Sequence, residues 1–95
     1  MTDIFDIKLS WQVRKRLKKL PLFIVLKLQA WIDDVGHRGL SEVRKIVGYR
    51  DEPLHGNRMG QRSIRLNRSY RAIYVINKNT SVSFIEIIEV NKHAY

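Results

Sequence analysis

Cysteine is absent from the 95 residues, which excludes a disulfide scaffold, a thiolate zinc site and a cysteine nucleophile. Long apolar runs are missing too. Stretches such as "LFIVL" fall far short of the roughly 20 residues needed to span a membrane. The opening "MTDIFDIK" has neither a basic n-region nor an apolar h-region, so no signal peptide is expected and a cytoplasmic location is the default. Metal-site spacings are lacking: His37, His55 and His93 are scattered, with no pair at i,i+4. No glycine-rich phosphate loop follows a strand, and nothing resembles a nucleophile elbow. No metal or organic cofactor is therefore expected. Acidic residues are missing from the whole stretch between Pro53 and Ile85, which holds Arg58, Arg62, Arg65, Arg68, Arg71 and Lys78.

What is present is positive charge. The formal net charge is +9 and the sequence pI about 10.3, which favours a polyanionic partner. Most of the basic side chains in the acid-free stretch are arginines, suited to planar, bidentate phosphate contacts. An apolar fraction of 44% is ordinary for a folded protein, and the length suits one domain over residues 1–95.

The pattern predicts an α+β domain. "FDIKLS" alternates as a short strand. Ser10 then caps a helix over "WQVRKRLKKL"; Pro21 stops this helix or opens the next. Ile24, Leu28, Trp31, Ile32 and Val35 mark a second helix with Gly36 as its terminator, and "LSEVRKIV" adds another turn or two. Phe23 and Trp31 are expected in the core. "GYRDEPLHGNRMGQ" reads as a loop. "RSIRL", "YRAIYVI" and "VSFIEIIEV" follow as three strands with short connections, hence an antiparallel meander. The last is apolar on both faces, as a strand covered from both sides would be. The expected fold is a small antiparallel sheet, the N-terminal strand plus the C-terminal meander, with two to three helices on one face.

Arg65 and Arg71 stand in strands that otherwise read as buried. A guanidinium is costly to desolvate unless paired, so these two require either internal carboxylates or an outside anion. The internal candidates for Arg71 are Glu86 and Glu89, which simple strand alternation sets on opposite faces. Arginines, a few histidines and tyrosines, and Glu52 form a set able to cleave RNA without metal. RNA supplies its own nucleophile, the 2′-hydroxyl. The protein then needs a base for that proton, cations for the crowded transition state, and an acid for the leaving 5′-oxygen.

"EPLHGNRMGQRSIRLNRSYRAIYVI", followed by a strand and a terminal "NKHAY", resembles the RelE/HigB/YoeB superfamily of type II toxins. The resemblance covers Asp51 to the C-terminus by motif and the remainder by element order. It implies a RelE/ParE-like fold with a concave basic groove, and an mRNA interferase acting on the ribosome. It further implies neutralisation by a cognate antitoxin, through which the complex binds operator DNA. By this resemblance Arg71, in "YRAIY", contacts the scissile phosphate and Arg65, in "SIRLN", assists it. Glu52, in "EPL", matches a loop carboxylate that acts as general base, and His93 and Tyr95 match C-terminal acid, base or stacking groups. Arg58, Arg62, Arg68, His55 and Lys92 are candidate RNA contacts. The chain departs from an "NKHDY"-like ending at Ala94, which puts the orientation of His93 in question. Two other readings stand beside this one: a ParE-like toxin that inhibits DNA gyrase, and a non-catalytic nucleic-acid-binding module. ParE-like relatives generally lack the basic and acid/base set, so Arg65 and His93 favour the nuclease.

Overall fold

A computed structural model describes residues 3–92; His93, Ala94 and Tyr95 lie outside the described residues. The chain runs β1 (Ile7–Leu9), α1 (Trp11–Leu17), α2 (Leu22–Arg38), α3 (Leu40–Val43), β2 (Glu52–Pro53), β3 (Gln61–Arg65), β4 (Tyr70–Asn79) and β5 (Val82–Lys92), with 3₁₀ turns at Val47–Tyr49 and Gly56–Arg58. The five strands form one sheet in the order β1-β5-β4-β3-β2. The expected meander is present as β3-β4-β5. The sheet is not wholly antiparallel, because β1 returns beside β5 in parallel, Ile7 opposite Ile85 and Leu9 opposite Ile87. The segment expected to be loop contributes a short edge strand, β2, which pairs Glu52 with Ser63 and Pro53 with Arg62.

The helices end where backbone chemistry stops them. Ser10 caps α1 by accepting from the Val13 N–H at 3.2 Å, and its own N–H donates to the Ile87 carbonyl. Helix α1 closes at Leu17 rather than Leu20: ahead of Pro21 the chain tightens into i→i−3 turns, the Lys19 N–H donating to the Arg16 carbonyl and the Leu20 N–H to that of Leu17. Helix α2 runs through Gly36 and stops at Gly39, whose φ of +84° a side chain would strain. A Cβ at Gly39 would also collide with the Asp3 carboxylate, which ties the N-terminal segment to α3 through the Ser41 N–H and hydroxyl.

Val13, Ile24, Leu28, Trp31, Val35, Leu40 and Val43 pack against Ile64, Ala72, Tyr74, Ile85, Ile87 and Val90, so the core lies on one side of the sheet. Trp31 meets Tyr74 at 5.3 Å between ring centroids. Phe23, expected in this core, is 60% exposed instead, and forms an outward apolar stripe on α2 with Leu22 and Leu26. The i,i+4 spacing that buries Ile24 and Leu28 turns their neighbours outward. Strand β5 is central but carries helices on one face only; its other face presents Glu86 and Glu89. Among the described residues, no helix is long and apolar enough to cross a membrane.

Candidate active site

Alternation along the strands determines what the uncovered face displays. Ile64, Ala72, Tyr74 and Val90 point to the helices, so Gln61, Ser63, Arg65, Arg71, Ile73 and Asn91 point away from them. Arg65 and Arg71 stand directly opposite each other on adjacent strands. Like charges in that position repel, which favours an anion between or above them.

One irregularity corrects the simple alternation. Ile73 pairs with Glu89 but Tyr74 with Ile87, leaving Ile88 unpaired as a β-bulge. The extra residue restores Glu89 to the same face as Glu86, whereas the undistorted pattern separates them. Neither of them holds Arg71. Glu86 accepts from Asn77 Nδ2 at 2.7 Å. Glu89 accepts from Arg58 Nη2 at 2.7 Å and from Asn91 Nδ2 at 2.6 Å, and Arg58 Nη1 donates to Gln61 Oε1.

Arg71 is held from the other side, across three strands. Its Nε donates to the Ser63 hydroxyl at 2.5 Å, and its Nη2 donates to Glu52 Oε1 at 3.0 Å. Ser63 is buried and opposite Glu52 in the β2–β3 register, so backbone pairing aligns acceptor, cation and carboxylate. Arg71 is 16% exposed and Glu52 is 60% exposed: the guanidinium is braced from below and the carboxylate stands at the rim. These contacts occupy two of five N–H groups. The others have no protein acceptor among the described residues. Leu54, Arg58, Ile73, Asn91 and Lys92 complete a cleft of about 240 Å³ around them.

The remaining sequence candidates scatter. Arg65 lies beside the cleft, its Nε bonded to the Asn67 carbonyl at 3.2 Å. Arg68 is exposed on the β3–β4 turn, which Asn67 Oδ1 shapes by accepting from the N–H groups of Ser69 and Tyr70. His55 is exposed and does not line the cleft. Lys92 does line it, at the end of β5. His93 and Tyr95 lie outside the described residues.

Arg62 is not brought to this cleft. Strand parity turns it to the helix side, where its Nε donates to Asp51 Oδ1 at 2.6 Å. Tyr74 donates its hydroxyl to the other oxygen of Asp51, also at 2.6 Å. Desolvation opposes the charge on Arg62, but Asp51 and then Tyr74 outweigh it and leave its pKa raised. Burial first, and the bond to Asp51 second, push the Tyr74 phenol up to about 12.

Ser63, Asn91 and Asp51 were not singled out by sequence reasoning. The signal for Ser63 was there, in the alternating "QRSIR" that sets it on the face of Arg65. For Asp51 no local pattern existed, since both its partners come from distant strands.

No family model and no curated protein sequence matches the chain. Solved structures do. A YoeB/ParE toxin from Agrobacterium tumefaciens superposes with a TM-score of 0.67 at 18% identity, covering 94% of this chain and 99% of that one. The YoeB–YefM complex from Staphylococcus aureus gives 0.65 at 24% identity, with 95% and 97% covered. The toxin–antitoxin complex RelBE2 from Mycobacterium tuberculosis gives 0.59 at 21% identity, with 97% and 100% covered. At such identities the likeness is one of fold: the chain has a RelE/ParE-like fold over nearly its full length.

Proposed function

We propose that this protein is the toxin of a type II toxin–antitoxin system and an endoribonuclease that cleaves mRNA, on the ribosome, without a metal. One observation carries this reading: Glu52 and Arg71 stand side by side at the mouth of a basic cleft, with Ser63 bracing the cation from beneath. A phosphate fits where the Arg71 guanidinium faces the cleft, and Arg65 on the next strand adds a second cation. Glu52 is exposed, so it can exchange its contact with Arg71 for the 2′-hydroxyl of the nucleotide upstream of that phosphate.

In the reaction the 2′-oxygen attacks phosphorus as its proton passes to the base. The P–O5′ bond breaks and O5′ takes a proton from the acid, giving a 2′,3′-cyclic phosphate and a 5′-hydroxyl end. Glu52 and His93 divide these two proton transfers, and Tyr95 positions the RNA. Arg71 and Arg65 offset the charge that builds on the phosphorane-like transition state, the role for which a strand-mounted cation is best suited. Arg58, Arg68 and Lys92 hold flanking backbone.

The S. aureus YoeB was crystallised with YefM and the M. tuberculosis relative as a toxin–antitoxin complex, which supports a cognate antitoxin as partner here. A cytoplasmic site of action and operator binding through that antitoxin follow from the same reading. The test uses antitoxin-free protein, programmed ribosomes and EDTA. Cleavage that persists in EDTA and is lost in Arg71→Ala supports the nuclease. Intact mRNA together with inhibited gyrase indicates the ParE-like alternative, and RNA binding with neither activity indicates a non-catalytic module.

A further inference from the structure

Glu52 belongs to a strand two residues long at the edge of the sheet. Backbone pairing of that length holds little by itself. The residue before it supplies what the strand lacks. The Asp51 side chain is 1% exposed and points to the face opposite Glu52, and each of its carboxylate oxygens accepts one hydrogen bond at 2.6 Å. The two donors, Arg62 on β3 and Tyr74 on β4, come from neighbouring strands and are themselves opposite in register. Behind Asp51, Arg50 adopts a left-handed conformation, φ 46° and ψ 52°, which a non-glycine residue holds only when its surroundings impose it. Ahead of Glu52, the Leu54 N–H donates to the Gln61 carbonyl at 2.9 Å.

We infer that Asp51 is a positioning residue: its buried clamp on Arg62 and Tyr74 sets the place and direction from which Glu52 meets Arg71. Alternation does the rest, because a strand anchored by one side chain on its lower face must present the next on its upper face. The raised pKa of Tyr74 keeps the phenol a donor throughout the working pH range. A buried ion pair seldom stabilises more than a well-packed apolar substitute; its best-attested use is to specify register. Here the register is that of β2, and the residue in question is Glu52.

This inference rests on the proposed role of Glu52, and the test separates the two. Asp51→Asn, Glu52→Gln and the double variant are compared in the complete chain under single-turnover cleavage of ribosome-bound mRNA. Asp51→Asn is expected to slow cleavage on the order of 10²-fold, as Glu52→Gln does, with RNA affinity nearly unchanged. The double variant is expected to be no slower than Glu52→Gln, because Asp51 acts through Glu52. Multiplying effects, a wild-type rate in Asp51→Asn, or a loss confined to affinity would overturn the inference. Should Asp51→Asn fail to fold, Tyr74→Phe removes one of the two clamps and is expected to slow cleavage several-fold with the same non-additivity. A crystal structure of the variant decides the positioning claim apart from activity: the Glu52–Arg71 contact should be lost, and its retention would overturn the claim. If the wild-type protein cleaves nothing, or Glu52→Gln cleaves normally, it is the proposed role of Glu52 that fails.

Discussion

Two adjacent carboxylates, Asp51 and Glu52, each take an arginine from the neighbouring strands, on opposite faces of one sheet. Under the helices, Asp51 is sealed from water and bonded by both oxygens. On the open side, Glu52 is mostly exposed and touches Arg71 through one oxygen. The chemistry of the two pairs is alike and both guanidiniums are largely covered; the hydration of the two carboxylates is what differs. Removing one partner from a buried pair strands an uncompensated charge, so Asp51–Arg62 cannot readily exchange partners. Glu52 stands at the rim, where water competes for its carboxylate, so its single bond to Arg71 is worth little; in the proposed reaction Arg71 exchanges it for a phosphate without unsettling the fold. The cover over the carboxylate, not the ion pair itself, separates a staple from the proposed site.

The largest effect should come from breaking the covered pair. Arg62→Ala is expected to lower stability by about 3 kcal/mol, read as a shift in the urea midpoint at unchanged slope. A midpoint within error of wild type would show that the pair is not acting as buried. Next comes Arg71→Ala, expected to slow cleavage by roughly 10²–10³-fold. Its urea midpoint should move much less than that of Arg62→Ala, and a reversal of this order would dissolve the contrast.

A smaller effect concerns alkaline pH. The Tyr74 phenol is raised from 10.0 to about 12, so the folded state favours its protonated form. That contribution is complete below pH 10 and is lost as pH rises through about 12. Stability measured across this window should fall more steeply in wild type than in Tyr74→Phe. The smallest change should be that of Glu52→Gln on stability, within about 0.5 kcal/mol of wild type in urea despite its slowed cleavage. A large destabilisation there would make Glu52 a staple as well.

Much of the site was legible before the fold was known. The acid-free stretch and the strand patterns around Arg65 and Arg71 pointed to an open face bearing cations, because period-two alternation carries through an unbroken strand pair. Glu89 was misplaced for the converse reason. The extra residue at Ile88 shifts parity for all that follows, and nothing in "FIEIIEV" marks it. Phe23 was misassigned because "LFIVL" is apolar around the whole helix and names no inner stripe of its own. Arg62 resembled the other arginines of its segment. Only its place in the β3 register turned it from the cleft to Asp51.

The sequence by itself determined the element types apart from the short β2, the excess of positive charge and the strands on which the arginines ride. These depend on composition and local period, which short-range sterics and hydrophobicity enforce. Which carboxylate meets which arginine was decided by tertiary structure alone. Glu52 and Arg71 are 19 residues apart, and Asp51 and Arg62 are 11 apart. They meet only because β2 folds back onto β3, and their hydration differs only because helices cover one face of the sheet. Hydrogen-bond partners at such separations follow from strand order and register, which no local stretch of chain encodes.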